Sequence, residues 1–265
     1  MNIEIIGYIA AIFMGVSLGL VGGGGSILTV PILVYLFSVD PLIATSASLF
    51  IVGAAALLGG ALSFRRGEVH LNTAIQFAVP SFAGVFLTKN ILVPKIPNQI
   101  LSIQNFNVTK PLLIMGIFAV LMLLASFAMI KGKKPIEKNP SEKKWTSIAG
   151  QGFLVGGVTG LVGAGGGFLI VPALVNLVGL NMRSAIGTSL MIIAANSLFG
   201  FGLALHGGLN VDWKILGSIL GVALVGLLVG SYYSKRVSEK KLKSGFGYFV
   251  LIMGALILFD QIRRL

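Results

Sequence analysis

Apolar residues fill this chain in long unbroken runs, separated by short charged patches. Runs near the roughly 20 residues needed to cross a bilayer as a helix fall at 42–64, 72–93, 111–130, 184–206, 213–233 and 245–262. Two more runs, 3–37 and 146–178, are too long for one ordinary crossing, and glycine interrupts both. Helices that are apolar on every face belong in lipid. The pattern predicts an all-α polytopic membrane protein with about eight hydrophobic segments. Its most polar stretch, KGKKPIEKNPSEKKW at 131–145, reads as a surface linker between a first transmembrane region (1–130) and a second (146–265).

The two regions repeat each other. GVSLGLVGGGGSILTVP at 15–31 and GGVTGLVGAGGGFLIVP at 156–172 agree at ten of 17 positions without a gap, at an offset of 141. Further on, Ala44-Thr45-Ser46 corresponds to Gly187-Thr188-Ser189, and Leu113-Ile114-Met115-Gly116 to Leu251-Ile252-Met253-Gly254. Each region is thus a four-segment repeat that opens with a glycine-broken segment. Matched, glycine-interrupted hydrophobic segments in two halves are a pointer to a transporter's binding site.

Charge decides how the halves run. If each glycine-rich run crosses fully, lysine and arginine divide 11 to nine between the two sides, which is hardly a bias. If each run dips in and returns, 14 collect on the linker side (Arg65, Arg66, six linker lysines, Arg183 and the five from Lys235 to Lys243) and six remain opposite (Lys89, Lys95, Lys110, Lys214, Arg263 and Arg264). Basic residues favour the cytoplasmic face. The re-entrant arrangement is therefore preferred, with inverted halves, a cytoplasmic linker and an outside N-terminus.

Gly22, Gly23, Gly24 and Gly25, and Gly163, Gly165, Gly166 and Gly167 around Ala164, would each break a helix, at about 1 kcal/mol per glycine relative to alanine. Inside a bilayer such a break survives only when buried in protein or facing a polar cavity. A helix restarting after it, near Ser26 in one half and Phe168 in the other, presents unpaired N–H groups and a partial positive charge suited to an anion. Two such tips meeting at mid-membrane would make one site. Hydroxyls and an amide could add hydrogen bonds without charge: Ser26, Thr45, Ser46, Ser48, Thr188, Ser189 and Asn196. The pairs Gly15/Gly19 and Gly156/Gly160 have the spacing of close helix packing instead. Residues 94–110 have no counterpart of equal length in the second half and receive no role.

Composition narrows the chemistry. At 55% hydrophobic residues, 11% charged residues and a mean hydropathy of +0.96, the chain is far too apolar for a soluble domain. The absence of cysteine excludes thiolate metal sites and disulfides, and two distant histidines argue against a metal site. A net charge of +12 clustered between spans reflects topology and anionic lipid, so nucleic acid is not expected as a partner. All eight acidic residues lie at span ends or in loops, where a proton relay would not place them. No nucleophile–base constellation suggests an enzyme, and no cofactor is expected.

GGGGSILTVPIL followed by ATSAS, and GAGGGFLIVPALVNLVGLNMRSAIGTSLMIIAANS in the second half, resemble the sulfite exporter TauE/SafE family of membrane permeases over nearly the whole chain. The resemblance implies a multi-pass carrier of the inner (plasma) membrane that moves sulfite, sulfonates or other small organic anions. It points to the same residues: Gly22 to Ser26, Thr45-Ser46, Gly163 to Gly167, Thr188-Ser189 and Asn196. The expected partners are a small anionic substrate and the bilayer, with a homodimer left open. Export is the expected direction. A passive anion channel and a cation-coupled uptake permease are the alternatives.

Overall fold

Three helices start on the caps their sequences offer. Asp40 accepts hydrogen bonds from the N–H groups of Leu42 and Ile43, with Pro41 at the first helical position. Asn181 accepts from Ser184, and Asp212 accepts from Lys214 and Ile215. Each cap satisfies donors that would otherwise be stranded at a helix start. The structure, a computed structural model, describes every residue except 1, 98, 104–105, 132–144, 163–165, 209, 235 and 264–265.

In chain order, α1 (Asn2–Val21) is followed by a tight turn (Gly23–Gly25) and α2 (Ser26–Pro31), which continues as a wider turn over Ile32–Leu36. Helix α3 (Pro41–Arg65) leads to α4 (Leu71–Leu87), which widens over Thr88–Leu92 and ends with Val93–Lys95. A short antiparallel hairpin, β1 (Gln99–Ile103) and β2 (Phe106–Thr109), precedes α5 (Lys110–Lys131). The second region gives α6 (Trp145–Val162), α7 (Gly167–Pro172, continued over Ala173–Val178), α8 (Met182–His206), α9 (Trp213–Ser234) and α10 (Glu239–Arg263). Among the described residues that hairpin is the sole departure from an all-helical chain, and it occupies most of the stretch for which the sequence suggested no role.

Six helices are long and apolar enough to cross a membrane: Glu4–Val21, Pro41–Arg65, Leu71–Lys95, Leu112–Lys131, Met182–His206 and Trp213–Ser234. The protein is a multi-pass membrane protein. Two of the eight expected segments are not among these six: α6, which carries Gln151 and glycines at 150, 152, 156, 157 and 160, and α10, whose apolar stretch is described over Gly247–Gln261.

Size is distributed as expected of helices packed in lipid, with small residues inside and large ones outside. Ala44, Ala47, Ala55, Ala56 and Ser48 of α3 are buried, whereas Phe13, Leu124, Leu154 and Phe259 point outward. Backbones touch where glycine permits. A Cβ on Gly15 or Gly19 would strike the α9 backbone at Ala223 or Leu227, and one on Gly156 or Gly160 would crowd the α4 backbone at Ser81 or Val85. The reverse contacts exist too: Gly226 meets the α1 backbone at Ile12 and Val16, and Gly84 meets the α6 backbone at Phe153 and Gly157.

Helices α3 and α8 run antiparallel down the centre. Gly200 packs on Leu49, Gly53 on Ser197 and Leu198, Gly60 on Met191, and Gly187 on Ser63. Helices α5 and α10 also cross antiparallel, with Gly254 near Met122 and Gly247 near Ile130. Two ends of the bundle follow. One carries the N-terminal part of α1 and the ring cluster of Phe50, Phe201 and Trp213, whose centroids lie 5.1–6.0 Å apart. The other carries Arg66, whose Nη1 donates to the Ser231 carbonyl at 3.3 Å, and the exposed Lys131 that begins the linker.

Candidate functional site

At the first glycine cluster the chain folds back. Helix α1, with 20 residues, is about 30 Å long at 1.5 Å per residue. Gly22 then takes φ +75°, where a side chain would be strained, and its N–H donates to the Leu18 carbonyl at 2.8 Å. Helix α2 returns along α1. Thr29 Oγ1 donates to Met14 Sδ at 2.9 Å, and by Phe37 the chain is back beside Tyr8, ring on ring at 5.3 Å. Pro31, which lacks an N–H, is followed by the wide turn that lets the helix continue.

The second cluster has a related course. Gly163 and Gly165 lie outside the described residues. Gly166 takes φ +64°, directly against Thr159 Oγ1, and α7 begins at Gly167, one residue before the start expected from sequence. The chain has returned to the linker end by Asn176, whose Nδ2 lies 3.8 Å from Met129 Sδ near the end of α5.

The two breaks meet. A Cβ placed on Gly23 would fall on the Gly167 carbonyl, and one on Gly167 would stand 2.5 Å from Gly23 Cα. Both glycines are buried. The contact leaves no space for an ion between Gly23 and Gly167. Around it, Gly25 sits on the α1 backbone at Met14 and Leu18, and Ser26 donates its hydroxyl to the Gly23 carbonyl at 2.7 Å. Gly24 lies in the same tight turn. Ser189 faces Gly22, its Oγ 2.8 Å from where a Cβ would be, while donating to the Ile186 carbonyl.

Other hydroxyls divide by location. Thr45 and Ser46 line a cavity of about 370 Å³ at the end that carries the start of α1, together with Lys89, Asn90, Gly160 and Leu161. Ser48 is fully buried and donates to the Thr45 carbonyl, so it does not line this cavity as the sequence suggested. Thr188 is fully buried, and its Oγ1 accepts the N–H of His70 at 3.0 Å, tying the α3–α4 loop to α8. Beside it lies a pocket of only about 20 Å³ lined by Gly19, Arg66, Glu68, Arg183 and Ser231.

Asn196 is buried on α8 and reaches across to α4, where its Nδ2 donates to Ser81 Oγ at 2.6 Å. Its Oδ1 and the neighbouring Ser197 Oγ have no hydrogen-bond partner. A buried hydroxyl without a partner forfeits its solvation and gains nothing. Ser197→Ala is therefore expected to raise the unfolding temperature in detergent, or leave it unchanged. Asn196→Ala should lower it, because Ser81 then loses its partner at a cost of about 1–3 kcal/mol.

Sequence reasoning counted Lys89 only for its contribution to charge sidedness and did not single out Asn90. Both belong to the wide turn of α4, within the Leu71–Lys95 span. Lys89 follows the mostly apolar Phe77–Leu87 stretch by two residues, at the end of its run. Among the described residues, no group of three or more histidines, cysteines and carboxylates could hold a metal ion.

Comparison with known proteins places this architecture. The family profile described as Sulfite exporter TauE/SafE matches residues 7–257. A "Probable membrane transporter protein" of Xylella fastidiosa (strain 9a5c) is 29% identical, covering 92% of this chain and 91% of its own length. "Probable membrane transporter protein YdhB" of Bacillus subtilis (strain 168) is 26% identical over 93% of this chain and 96% of its own, and "YjnA" of the same organism is 24% identical over 96% and 98%. No solved structure matches. A membrane-transporter profile spanning nearly the whole chain, on a bundle whose broken helices meet in its interior, shows that the chain belongs to the sulfite exporter TauE/SafE family.

Proposed function

We propose that this membrane transporter is a secondary carrier of the inner membrane that exports a small sulfur-containing or organic anion, sulfite or a sulfonate. The observation that carries the reading is the contact of Gly23 with Gly167. In this reading it stands between the cavity of about 370 Å³ beside Thr45 and the pocket of about 20 Å³ beside Arg66 and Arg183, while a further cavity of about 380 Å³, lined by Phe13, Leu20, Val237, Lys241 and Phe249, has a mostly apolar wall. A carrier needs such a barrier, with one vestibule open while the other is closed. In this arrangement Thr45 and Ser46 face the open side, and their counterparts Thr188 and Ser189 are fully buried on the closed side.

Inverted repeats, 1–130 and 146–265 joined by the 131–145 linker, supply a mechanism for exchange. Helix α1 crosses α9 as α6 crosses α4. The contacted positions correspond: Ser81 with Ala223, Gly84 with Gly226 and Val85 with Leu227 are each 142 positions apart. Repeat mates α3 and α8 pack antiparallel, which supports a two-fold axis in the membrane plane. Rocking one set of crossings against the other would part the glycine turns, close the cavity beside Thr45 and open the pocket beside Thr188. The linker end, with 14 of the 20 basic residues, faces the cytoplasm in this reading.

The broken helices contribute close backbone approach and main-chain donors near the path, while the hydroxyls of Thr45, Ser46 and Ser189 sit beside it. Potential, negative inside, favours expulsion of an anion by about 2.3 kcal/mol per charge per 100 mV. Export can run on that alone. Flux into proteoliposomes is the test. Labelled sulfite or sulfoacetate should move faster than in empty vesicles and show saturable counterflow. Flux equal to that of empty vesicles across several gradients would remove this substrate class, and single-channel currents would replace the carrier with a pore.

A further inference from the structure

We propose that the cavity beside Thr45 is a site for an organic anion with a charged head and a carbon body, and that Lys89 holds the head; this deepens the carrier reading and rests on it. Three observations converge on the cavity.

The first is the lysine itself. Lys89 is half-buried in a span, and its Nζ donates to the Gly200 carbonyl at 3.4 Å. A carbonyl dipole at that distance is no counter-charge, and a cation inside a span is costly unless it serves a function. Among the described residues lining the cavity there is no aspartate or glutamate. The closest acid in sequence to the lining residues Pro41 and Leu42 is Asp40, whose Oδ1 already accepts from Leu42 and Ile43. That cap also satisfies the start of α3, and Lys89 is the one charged side chain among the described lining residues, with Lys110 Nζ donating to the carbonyl of the lining residue Val93. Asn90, Thr45 and Ser46 stand beside it as uncharged hydrogen-bonding groups.

The second is asymmetry. By the helix-crossing register, the position matching Lys89 in the second half is Ser231, 142 residues on. The repeated architecture therefore does not need a lysine at this point. The pocket at the other end takes its charge from other positions, Arg66 and Arg183 with Glu68 beside them, whereas no acid lines the cavity beside Lys89 among the described residues.

The third is size and lining. About 370 Å³ is more than ten times the ~30 Å³ share of one water molecule. Most of its wall is apolar, including Ile114, Met115, Leu161 and Leu203. A bare oxyanion would use the polar corner and leave that wall wet. An anion with several carbons would cover both, as ligand sites with a few polar groups in an apolar shell do.

The chain has no cysteine, so a single reporter is clean. In an Ala204→Cys background, Ala204 also lining the cavity, modification by a membrane-impermeant maleimide is timed with butanesulfonate, ethanesulfonate or sulfate present. Butanesulfonate should protect at concentrations at least about tenfold below sulfate, with ethanesulfonate between. Lys89→Gln should raise the half-protecting concentration of butanesulfonate at least about tenfold, and Lys89→Arg should restore it to within about threefold. Unchanged protection in Lys89→Gln overturns the site, and sulfate protecting as well as butanesulfonate overturns the organic-anion assignment. If wild-type vesicles carry sulfite while protection ignores Lys89, this inference fails and the carrier reading stands. If protection depends on Lys89 but no anion is carried, the site stands and the carrier reading fails. Neither protection nor flux removes both.

Discussion

Gly23→Ala is expected to abolish anion exchange while leaving a folded protein. The added methyl group has only backbone to meet: the carbonyl carbon, oxygen and Cα of Gly167. Backbone cannot swing aside as a side-chain tip can, so the two turns must separate. Overpacking of this kind costs about 1–3 kcal/mol, and each ~1.4 kcal/mol is tenfold in an equilibrium constant. If the glycine turns form the barrier that parts and rejoins in each cycle, that strain falls on one member of the cycle. Flux should drop at least about tenfold. Gly167→Ala should act likewise, because its Cβ would meet Gly23 Cα and Ile193 Cδ1. Gly202→Ala and Gly116→Ala are the controls, since a Cβ at either meets nothing within 4 Å. Proteoliposome flux, with size-exclusion profiles to verify folding, reads the result. Normal flux in Gly23→Ala would end the barrier reading.

A second pair of substitutions carries the largest expected effect on stability. Gly84→Leu and Gly226→Leu should each prevent recovery of monodisperse protein, and to a similar degree. Gly84 touches the α6 backbone at Phe153 and Gly157, and Gly226 touches the α1 backbone at Ile12 and Val16. A leucine at either forces two helices apart along a crossing whose attraction is dispersion between close backbones. The cost should reach or exceed about 3 kcal/mol. Gly217→Leu, on the same helix as Gly226 but with open space around it, should be recovered normally. The matched outcome tests the inverted repeat directly. If Gly226→Leu unfolds the protein and Gly84→Leu does not, the two crossings are not equivalent and the symmetric mechanism loses its basis.

Much of the architecture was readable because lipid imposes strict rules. Long apolar runs had to be helices, since no water is available for their backbone groups. The helix starts were not read as such: Asp40 and Asp212 figured only as acids at span ends or in loops, and the structure shows that they and Asn181 accept backbone N–H groups as caps. The spacing of Gly15 and Gly19 announced a close crossing, though not that α9 would be the helix crossed. The hairpin at 99–109 was not legible, because its strands are short and its apolar residues mix with amides and hydroxyls.

For the candidate site, legibility was uneven. Gly22 to Gly25 stood out because glycine is disfavoured in helices and the cluster recurs. The fates of Thr45 and Thr188 were not visible, although both precede serine in matched positions. One faces a cavity and the other accepts from the His70 N–H, and that difference arises from loops of different sequence at the two ends. Lys89 was counted for its sidedness and missed as a cavity residue, because a lone lysine near a span end has the same local sequence whether it faces water, headgroups or the interior.

By itself the sequence determined the solvent and the helical class, which follow from apolar length and backbone cost, and it pointed to a duplication and to two glycine clusters as places for a helix to break. The tertiary structure alone decided that Gly23 lies against Gly167, that α1 pairs with α9 and α6 with α4, and that Thr45, Ser46 and Lys89 share one cavity. Those are contacts between segments far apart in the chain, and they are selected by the fit of helix surfaces, which no single segment contains.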